Sequence, residues 1–176
     1  MKAFWTLDGV TVCGIWFGED VYKQPYSIGL GERFASAKHK DSIAKIKELS
    51  VSEGYLNAKI EDRLVYDEKT KGVAVTLTIK KGKQFTLAKV NVCVDADQSL
   101  NTHERENIRS EIYSFLAKHI SGKHYSKNLV NKETASLKQM LLRRGFIHAD
   151  VTLTETIDYA AQEVKPTFTI DLHVKK

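Results

Sequence analysis

The chain has 176 residues, of which 42% are hydrophobic and 28% are charged, as is ordinary for a globular protein. No run of about 18 apolar residues occurs, so the sequence predicts no membrane-spanning helix. The net charge of +5 could suit an anionic partner, but the basic residues are scattered among 22 acidic ones, which favours a solvated lysine-rich surface. The length fits one domain or two small ones.

The chain contains only two cysteines, Cys13 and Cys93. Two cysteines exclude a disulfide framework and leave no CxxC metal or redox site. One disulfide between them is conceivable, but we expect two buried free thiols. The first residues also lack the order of charged, apolar and small residues that marks a secretory signal, so no targeting segment indicates a compartment.

The first half of the chain begins with a region that has no clean helical stripe. Apolar residues between Phe4 and Phe17 predict a strand within residues 3–17, followed by a first helix that is short or distorted. A second helix is predicted to end before Gly54. Its apolar positions are Ile43, Ile46 and Leu49.

Two strands with apolar residues at every second position complete the first half, joined by a turn at 67–72. The alternating residues are Leu56, Ala58, Ile60, Leu64 and Tyr66 on the first of these strands and Val73, Val75, Leu77 and Ile79 on the second. One-sided alternation predicts a sheet that is covered on one face only.

The second half shows the same elements more clearly. Residues 85–94 are rich in β-branched side chains and predict one strand, and a polar break at 95–99 separates it from a helix that Asn101 or Thr102 caps. A second helix is predicted from about Ser126 to Arg144. The apolar positions of the two helices are Ile108, Ile112, Phe115 and Leu116, and Val130, Leu137, Met140 and Leu141. The two closing strands alternate through Ile147, Ala149, Val151 and Leu153, and through Phe168, Ile170, Leu172 and Val174.

The two halves repeat each other at a spacing of 91 residues. The segment 54–60, Gly-Tyr-Leu-Asn-Ala-Lys-Ile, aligns without gaps with the segment 145–151, Gly-Phe-Ile-His-Ala-Asp-Val. A tandem repeat predicts a modular chain, and modular arrays usually bind or connect rather than catalyse. We therefore expect an α+β protein of two β-α-α-β-β domains, at residues 1–82 and 83–176.

No pattern typical of catalysis or metal binding occurs. His119 and His124 form the only close histidine pair, and no HExxH or comparable carboxylate pattern adjoins them. The P-loop, GxSxG and GxGxxG motifs are missing. We therefore predict that the chain is not an enzyme and has no catalytic residues, no metal site and no cofactor. Nucleic-acid binding is not expected either, because the outward positions of the strands offer no aromatic stacking platform.

The β-α-α-β-β unit with a glycine-aromatic pair before its second strand resembles the polypeptide-transport-associated (POTRA) domain. The residues that carry the resemblance are Gly31, Phe34, Gly54, Tyr55, Gly82, Gly122, Tyr125, Gly145 and Phe146. The similarity covers residues 31–176 well and residues 1–30 poorly. It implies that each unit is a three-stranded mixed sheet covered on one face by two helices. We expect glycines with positive φ at the helix ends, each followed by an aromatic residue that fills the core.

The resemblance implies a segment of an outer-membrane β-barrel assembly or translocation factor of the BamA/TamA type, on the periplasmic side of a Gram-negative outer membrane. The implied partners are unfolded outer-membrane proteins, accessory periplasmic proteins and a membrane β-barrel that follows in the parent chain. The ending Val174-Lys175-Lys176 resembles Ile79-Lys80-Lys81, which precedes Gly82. In this match the chain stops one residue before a second closing glycine is due, so we expect an excised fragment. The alternatives are a POTRA pair of a two-partner secretion or organellar import transporter, and a nucleic-acid-binding α/β module.

Family topology places the second strand of each unit at a sheet edge, where an extended client could add a strand by β-augmentation. The candidate peptide-binding residues are Leu56, Asn57, Ala58, Lys59, Ile60 and Glu61 in the first unit, and Ile147, His148, Ala149, Asp150, Val151, Thr152 and Leu153 in the second. Charged residues at these positions fit equally well with an edge that is only protected against aggregation.

Overall fold

The computed structural model describes residues 4–14, 19–96 and 100–172. The chain divides into two compact units, Met1–Lys83 and Gln84–Lys176. The first unit contains β1 (Thr6–Cys13), α1 (Glu19–Lys23), α2 (Ser36–Ser52), β2 (Lys59–Asp67) and β3 (Gly72–Lys80). The second contains β4 (Thr86–Leu87), β5 (Asn91–Ala96), α3 (Thr102–His119), α4 (Lys127–Arg143), β6 (Asp150–Asp158) and β7 (Glu163–Leu172). The predicted polar break at 97–99 and the predicted strand residue Val174 lie outside the described residues.

Both sheets are mixed, as predicted. In the first unit β3 is central, with β1 parallel to it on one side and β2 antiparallel on the other. In the second unit β7 is central, with β4 and β5 parallel on one side and β6 antiparallel on the other. The α+β fold class is confirmed.

The prediction of a single strand at 85–94 is wrong, because the structure has two strands there, β4 and β5. The Ala88 N–H donates to the Val164 carbonyl at 2.9 Å, so every second residue of β7 from Val164 onward turns its backbone groups toward this side. Pro166 is one of them, and it has no N–H to donate. Leu87 lies opposite Val164, and Asn91 lies opposite Thr167. Four steps along the β4–β5 segment therefore correspond to three steps along β7, and the extra residue interrupts the ladder as in a β-bulge.

The central strands supply much of the core in each unit. The predicted alternation is confirmed, since the residues between the predicted core positions are not fully buried and those positions are buried: Val73, Val75, Leu77 and Ile79 on β3, and Phe168, Ile170 and Leu172 on β7. The buried residues of the first unit's core are Leu7, Val12, Tyr22, Ile28, Ile46, Val73, Val75, Leu77 and Ile79. Those contributed by the helices of the second unit include Ile112, Leu116, Val130, Leu137 and Leu141.

The turn before the second helix pairs with the first strand in the same way in both units. The Leu7 N–H donates to the Glu32 carbonyl at 2.9 Å, and the Leu87 N–H donates to the Lys123 carbonyl at 2.7 Å. The repeat therefore extends into the front half of the chain, where Leu7 and Leu87 are 80 residues apart, although their partners are 91 apart. The difference lies between the first strand and the turn. There the first unit has the five-residue α1 and the second has the 18-residue α3. The expected short first helix is confirmed.

The ends of the longer helices follow the sequence signals. Asn101 caps α3 through a capping box, in which its side chain accepts the Glu104 N–H at 2.9 Å and the Glu104 carboxylate accepts the Asn101 N–H at 3.0 Å. Gly54 and Gly145, just after α2 and α4, have φ values of 95° and 91°. The predicted left-handed glycines are thus confirmed, because only glycine adopts this conformation without a steric cost.

Two expectations about burial are wrong. Cys13 and Cys93 are free but exposed, because they lie opposite Thr78 and Thr169 on the sheet face that the helices do not cover. The aromatic residues after the helix-end glycines, Tyr55 and Phe146, are only half-buried. They lie in the connection between helix and strand rather than on either element, so part of each ring stays in solvent.

Candidate functional site

The predicted peptide-binding strands lie at sheet edges. Within the described residues, β2 pairs only with β3, and β6 pairs only with β7. Both strands start later than predicted, at Lys59 and Asp150. The preceding candidate residues, Leu56, Asn57, Ala58, Ile147, His148 and Ala149, lie in the turns before them.

These turns explain the late start of the strands. The Ala58 N–H donates to the Tyr55 carbonyl at 3.0 Å, and the Ala149 N–H donates to the Phe146 carbonyl at 3.2 Å. Each amide is therefore used to close a turn and is not free for a strand ladder. The candidate edge residues that remain on strands are Lys59, Ile60 and Glu61 on β2, and Asp150, Val151, Thr152 and Leu153 on β6.

The hydrogen-bonding pattern identifies which residues of β6 face outward with their backbone. Because Val164 and every second residue after it face the β5 side, the intervening residues of β7, such as Thr169, face β6. Thr152, opposite Thr169, bonds inward to β7. Its neighbours Val151 and Leu153 therefore direct their N–H and C=O groups to the free edge, while their side chains point to the core.

The edge strand of the first unit follows the same pattern. The Thr6 N–H donates to the Lys71 carbonyl at 3.0 Å, which places alternate residues of β3 toward β1 and the others toward β2. Glu61, opposite Thr78, bonds inward, and its neighbour Ile60 directs its backbone groups outward. Both edges therefore present main-chain donors and acceptors that no other described strand uses and to which a further strand could bond.

Charged side chains lie around these free backbone groups. The Asp150 carboxylate accepts the outward Val151 N–H at 2.9 Å and lies 3.5 Å from the Lys138 ammonium. On β2, Glu61 pairs with Lys80 at 2.6 Å. A carboxylate on an outward amide protects an edge strand against unwanted pairing, and any strand added at this edge would have to displace it.

A polar network under the edge of β2 was not predicted. The buried His39 on α2 lies 2.7 Å from the Tyr26 hydroxyl through Nδ1 and 2.9 Å from the Asp62 carboxylate through Nε2. Burial raises the pKa of Tyr26 to about 12, and the negative charge of Asp62 adds to the increase. The network ties helix α2 to the middle of the edge strand.

A second pair does the same in the other unit. The buried Tyr125 donates its hydroxyl proton to the Glu155 carboxylate on β6 at 3.0 Å. Burial raises the pKa of Tyr125, and the negative charge of Glu155 adds to this. A sequence signal for both carboxylates existed, because each interrupts a run of alternating apolar residues on its strand. Asp62 lies between Ile60 and Leu64, and Glu155 lies between Leu153 and Ile157.

The histidine pair singled out in the sequence does not form a site. His119 Nδ1 lies 3.0 Å from the Glu133 carboxylate, whereas His124 is exposed in the turn before α4. In the part of the chain that the structure describes, no three His, Cys, Asp or Glu side chains are grouped so that they could hold a metal ion. None of the described helices combines the length and the apolar character needed to cross a bilayer.

Comparison with known proteins gives matches in structure but not in sequence. No protein-family model matches the chain, and no curated protein does. Among solved structures, POTRA domains 3–5 of BamA from Haemophilus influenzae align over 98% of this chain and 68% of theirs, with 15% identity and a TM-score of 0.51. BamA from Haemophilus ducreyi, lacking POTRA domains 1–3, aligns over 96% of this chain at 16% identity and a TM-score of 0.50. The chain has the POTRA fold.

The predicted POTRA resemblance is thereby confirmed for the fold. This chain spans 30% of the Haemophilus ducreyi structure that it matches. A POTRA pair from the periplasmic domain of Omp85 of Anabaena is covered over 98% of both chains, at 13% identity and a TM-score of 0.49. Within the POTRA fold, the glycines that carry the resemblance share one feature. Gly31, Gly54, Gly82, Gly122 and Gly145 all have positive φ.

Proposed function

We propose that this chain is a scaffold segment of an outer-membrane β-barrel assembly or protein translocation factor, exposed to the periplasm, that binds client or partner polypeptides by β-augmentation. The POTRA fold supports this role, because the matched structures are POTRA domains of BamA. Unfolded outer-membrane proteins and accessory periplasmic proteins are the proposed partners, and a membrane β-barrel is proposed to follow in the parent chain.

The observation that carries the proposal is the free edge of β6. Val151 and Leu153 offer outward main-chain donors and acceptors along a strand of nine residues. An added strand gains its affinity from main-chain hydrogen bonds, and its specificity comes from side-chain pockets. The neighbouring Thr152 and Thr154 are small and exposed. We therefore expect weak binding with little sequence preference, and β2 is the corresponding edge of the first unit.

The test is a pair of variants at one outward position. Leu153→Pro removes a backbone donor from the free edge, whereas Leu153→Ala truncates the same half-buried side chain and keeps the N–H. An extended peptide of alternating apolar residues, titrated into the full chain, is expected to shift the amide NMR signals of 150–158. Leu153→Pro should abolish those shifts and Leu153→Ala should preserve them, with folding checked by circular dichroism. Shifts confined to the helices would refute binding at this edge.

The other classes of function have less support. On the sheet faces that the helices leave uncovered, the described strand residues include no aromatic side chain, and Tyr66 at the end of β2 is a single exposed ring. A stacking platform for nucleic acid needs several such rings on one face. A two-partner secretion or organellar import transporter remains an alternative within the POTRA fold. The gene of the parent protein separates these options. A signal peptide upstream and a β-barrel pattern downstream would support the proposal, and a short cytosolic reading frame would refute it.

A further inference from the structure

The second unit contains an open groove at the sheet edge opposite to β6. The groove has a volume of about 610 Å³ and lies between β5 and α3. Its lining includes Val90, Asn91, Val92 and Cys93 from the strand side and Glu106, Arg109, Ser110 and Tyr113 from the helix. None of these residues belongs to the candidate edge at β6.

The strand side of this groove exposes main-chain groups. Because the residues of β7 that face β5 are Val164 and every second residue after it, Asn91 and Cys93 bond inward to β7. The intervening residues Val92 and Val94 therefore direct their N–H and C=O groups to the free side of β5, where Val92 lines the groove. Within the described residues, no strand pairs with β5 on this side.

The chain itself shows in which direction this edge accepts a strand. The turn at 122–125 runs antiparallel beside the start of the same edge. The Tyr125 N–H donates to the Phe85 carbonyl at 2.8 Å, and the Gly122 N–H donates to the Leu87 carbonyl at 2.8 Å. At Gly122 the chain turns away with φ of 74°. The segment 122–125 thus leaves this edge where the groove begins, and beyond that point no described segment pairs with the free side of β5.

The helix wall of the groove carries one acidic and one basic side chain, Glu106 and Arg109. Glu106 and Arg109 are both exposed, one turn apart on α3, and neither makes an ion pair or side-chain hydrogen bond with another described residue. By contrast, Glu111 on the same helix pairs with Arg144. Residues three apart on a helix lie about 5–6 Å apart, close to the roughly 6.6 Å between alternate residues of a strand. One extended segment could therefore meet both charges.

The direction of α3 fixes the order of the complementary charges. Thr102 follows shortly after the end of β5, and the Gly122 contact places the other end of the helix near Leu87. The helix therefore runs antiparallel to β5. A strand that is antiparallel to β5 reaches Glu106 before Arg109. We infer that this groove binds an extended polypeptide segment, antiparallel to β5, with a basic residue followed two positions later by an acidic one.

This inference does not rest on the proposed function, because it uses the opposite edge of the sheet. The probes are two capped peptides of identical composition, Thr-Val-Lys-Val-Glu-Val-Thr and Thr-Val-Glu-Val-Lys-Val-Thr, titrated into the full chain. We expect the first to shift the amide signals of 91–95 and 106–113 and to bind about fivefold more tightly than the second, as two exposed ion pairs allow. Equal affinities, tighter binding of the second peptide, or shifts confined to β6 or β2 would overturn the inference. Shifts confined to β6 would leave the proposed function intact.

Two controls use features of the chain. The double variant Glu106→Lys and Arg109→Glu should reverse the peptide preference, whereas Lys38→Asp with Asp41→Lys, an exposed pair at the same spacing on α2, should leave it unchanged. Cys93 lies in the groove, and Cys13 is its exposed counterpart in the first unit. Bound peptide should slow alkylation of Cys93 severalfold and not that of Cys13. An unreversed preference, or equal slowing of both thiols, would refute the site.

Discussion

The two units both connect a buried side chain to the edge strand through a polar contact, but at different positions. In the first unit His39 contacts Asp62, and the equivalent residues 91 positions later are Val130 and Leu153. In the second unit Tyr125 contacts Glu155. The residues equivalent to this second pair are Phe34 and Leu64. Each polar pair in one unit is thus matched by an apolar pair in the other.

This difference shows that the partners of a half-buried pair are exchanged together. Removing one partner leaves a buried polar group unsatisfied, which costs about 1–3 kcal/mol, whereas replacing both by apolar groups of similar size is close to neutral. The backbone hydrogen bonds of the turns, by contrast, are the same in both units. The two units therefore share the hydrogen bonds of their turns. The contacts between a helix or turn residue and the edge strand differ, with a polar pair in one unit replaced by an apolar pair in the other.

The largest expected effects come from the apolar residues that are equivalent and fully buried in both units. Leu77 and Phe168 lie 91 positions apart on the two central strands. Phe168→Ala should lower the free energy of unfolding of the second unit by about 3–5 kcal/mol, and Leu77→Ala that of the first by about 2–5 kcal/mol. Both tryptophans, Trp5 and Trp16, belong to the first half. Tryptophan fluorescence in urea should therefore respond to Leu77→Ala, and far-UV circular dichroism to both variants.

The result also tests whether the units unfold independently. If Phe168→Ala shifts the tryptophan transition as much as Leu77→Ala does, the two units unfold as one cooperative body. The comparison between separate units would then not hold.

The exchange of a polar pair is the second prediction. His39→Val leaves the Tyr26 hydroxyl and the Asp62 carboxylate without their partner, and we expect a loss of about 1–2 kcal/mol. The Asp62 side chain is 42% exposed, so water limits the cost to the lower part of the range. Adding Asp62→Leu introduces both residues of the second unit and should recover about half of the loss. Urea unfolding of both single variants and of the double variant, followed by tryptophan fluorescence, gives a double-mutant cycle. If the losses of the single variants simply add up in the double variant, the contact between His39 and Asp62 contributes nothing to stability.

The extent to which the sequence predicts this structure depends on where each residue's partner lies. The alternation on β3 and β7 was predictable, because a central strand covered on one face imposes a period of two on its own sequence. The helix-end glycines were also predictable from local sequence, because the positive φ that ends a helix favours glycine. The interruption after β4 was not, because it depends on the direction in which the Pro166 nitrogen faces, which the pairing of β7 decides.

The candidate edges were predictable only in part. Their position in the sheet followed from the family resemblance, but the start of β6 at Asp150 depends on the turn closed by Ala149. The His39 contact with Asp62 joins a helix to a strand across 23 positions of sequence. The sequence around either residue gives no indication that the other is its partner. The groove beside β5 was missed because its helix wall and its strand belong to different predicted elements.

The third prediction concerns the aromatic residues after the helix-end glycines. Since Tyr55 and Phe146 are half-buried, Phe146→Ala should cost about 1.5–2.5 kcal/mol, roughly half of the value for a buried phenylalanine. Tyr55→Ala should cost a similar amount in the first unit, plus the loss of the contact between its ring and the Lys81 ammonium, 4.7 Å away. Circular dichroism in urea measures both losses. A cost for Phe146→Ala as large as that for Phe168→Ala would show that its ring is fully buried in solution.

The smallest expected effect tests the equivalence of the turns directly. Gly31 and Gly122 have φ of 77° and 74°, and a Cβ added at either meets nothing within 4 Å. The cost of Gly31→Ala or Gly122→Ala is therefore only that of the left-handed backbone, about 1 kcal/mol. Asparagine tolerates this conformation better, so the matched Asn variants should lose less. Equal losses in both units, measured by tryptophan fluorescence for Gly31 and by circular dichroism for Gly122, are expected if the turns define the repeat. If Gly31→Ala leaves the stability of the first unit unchanged, its turn adopts a different backbone conformation in solution. The short α1 of the first unit would then be accompanied by a change in the turn that follows it.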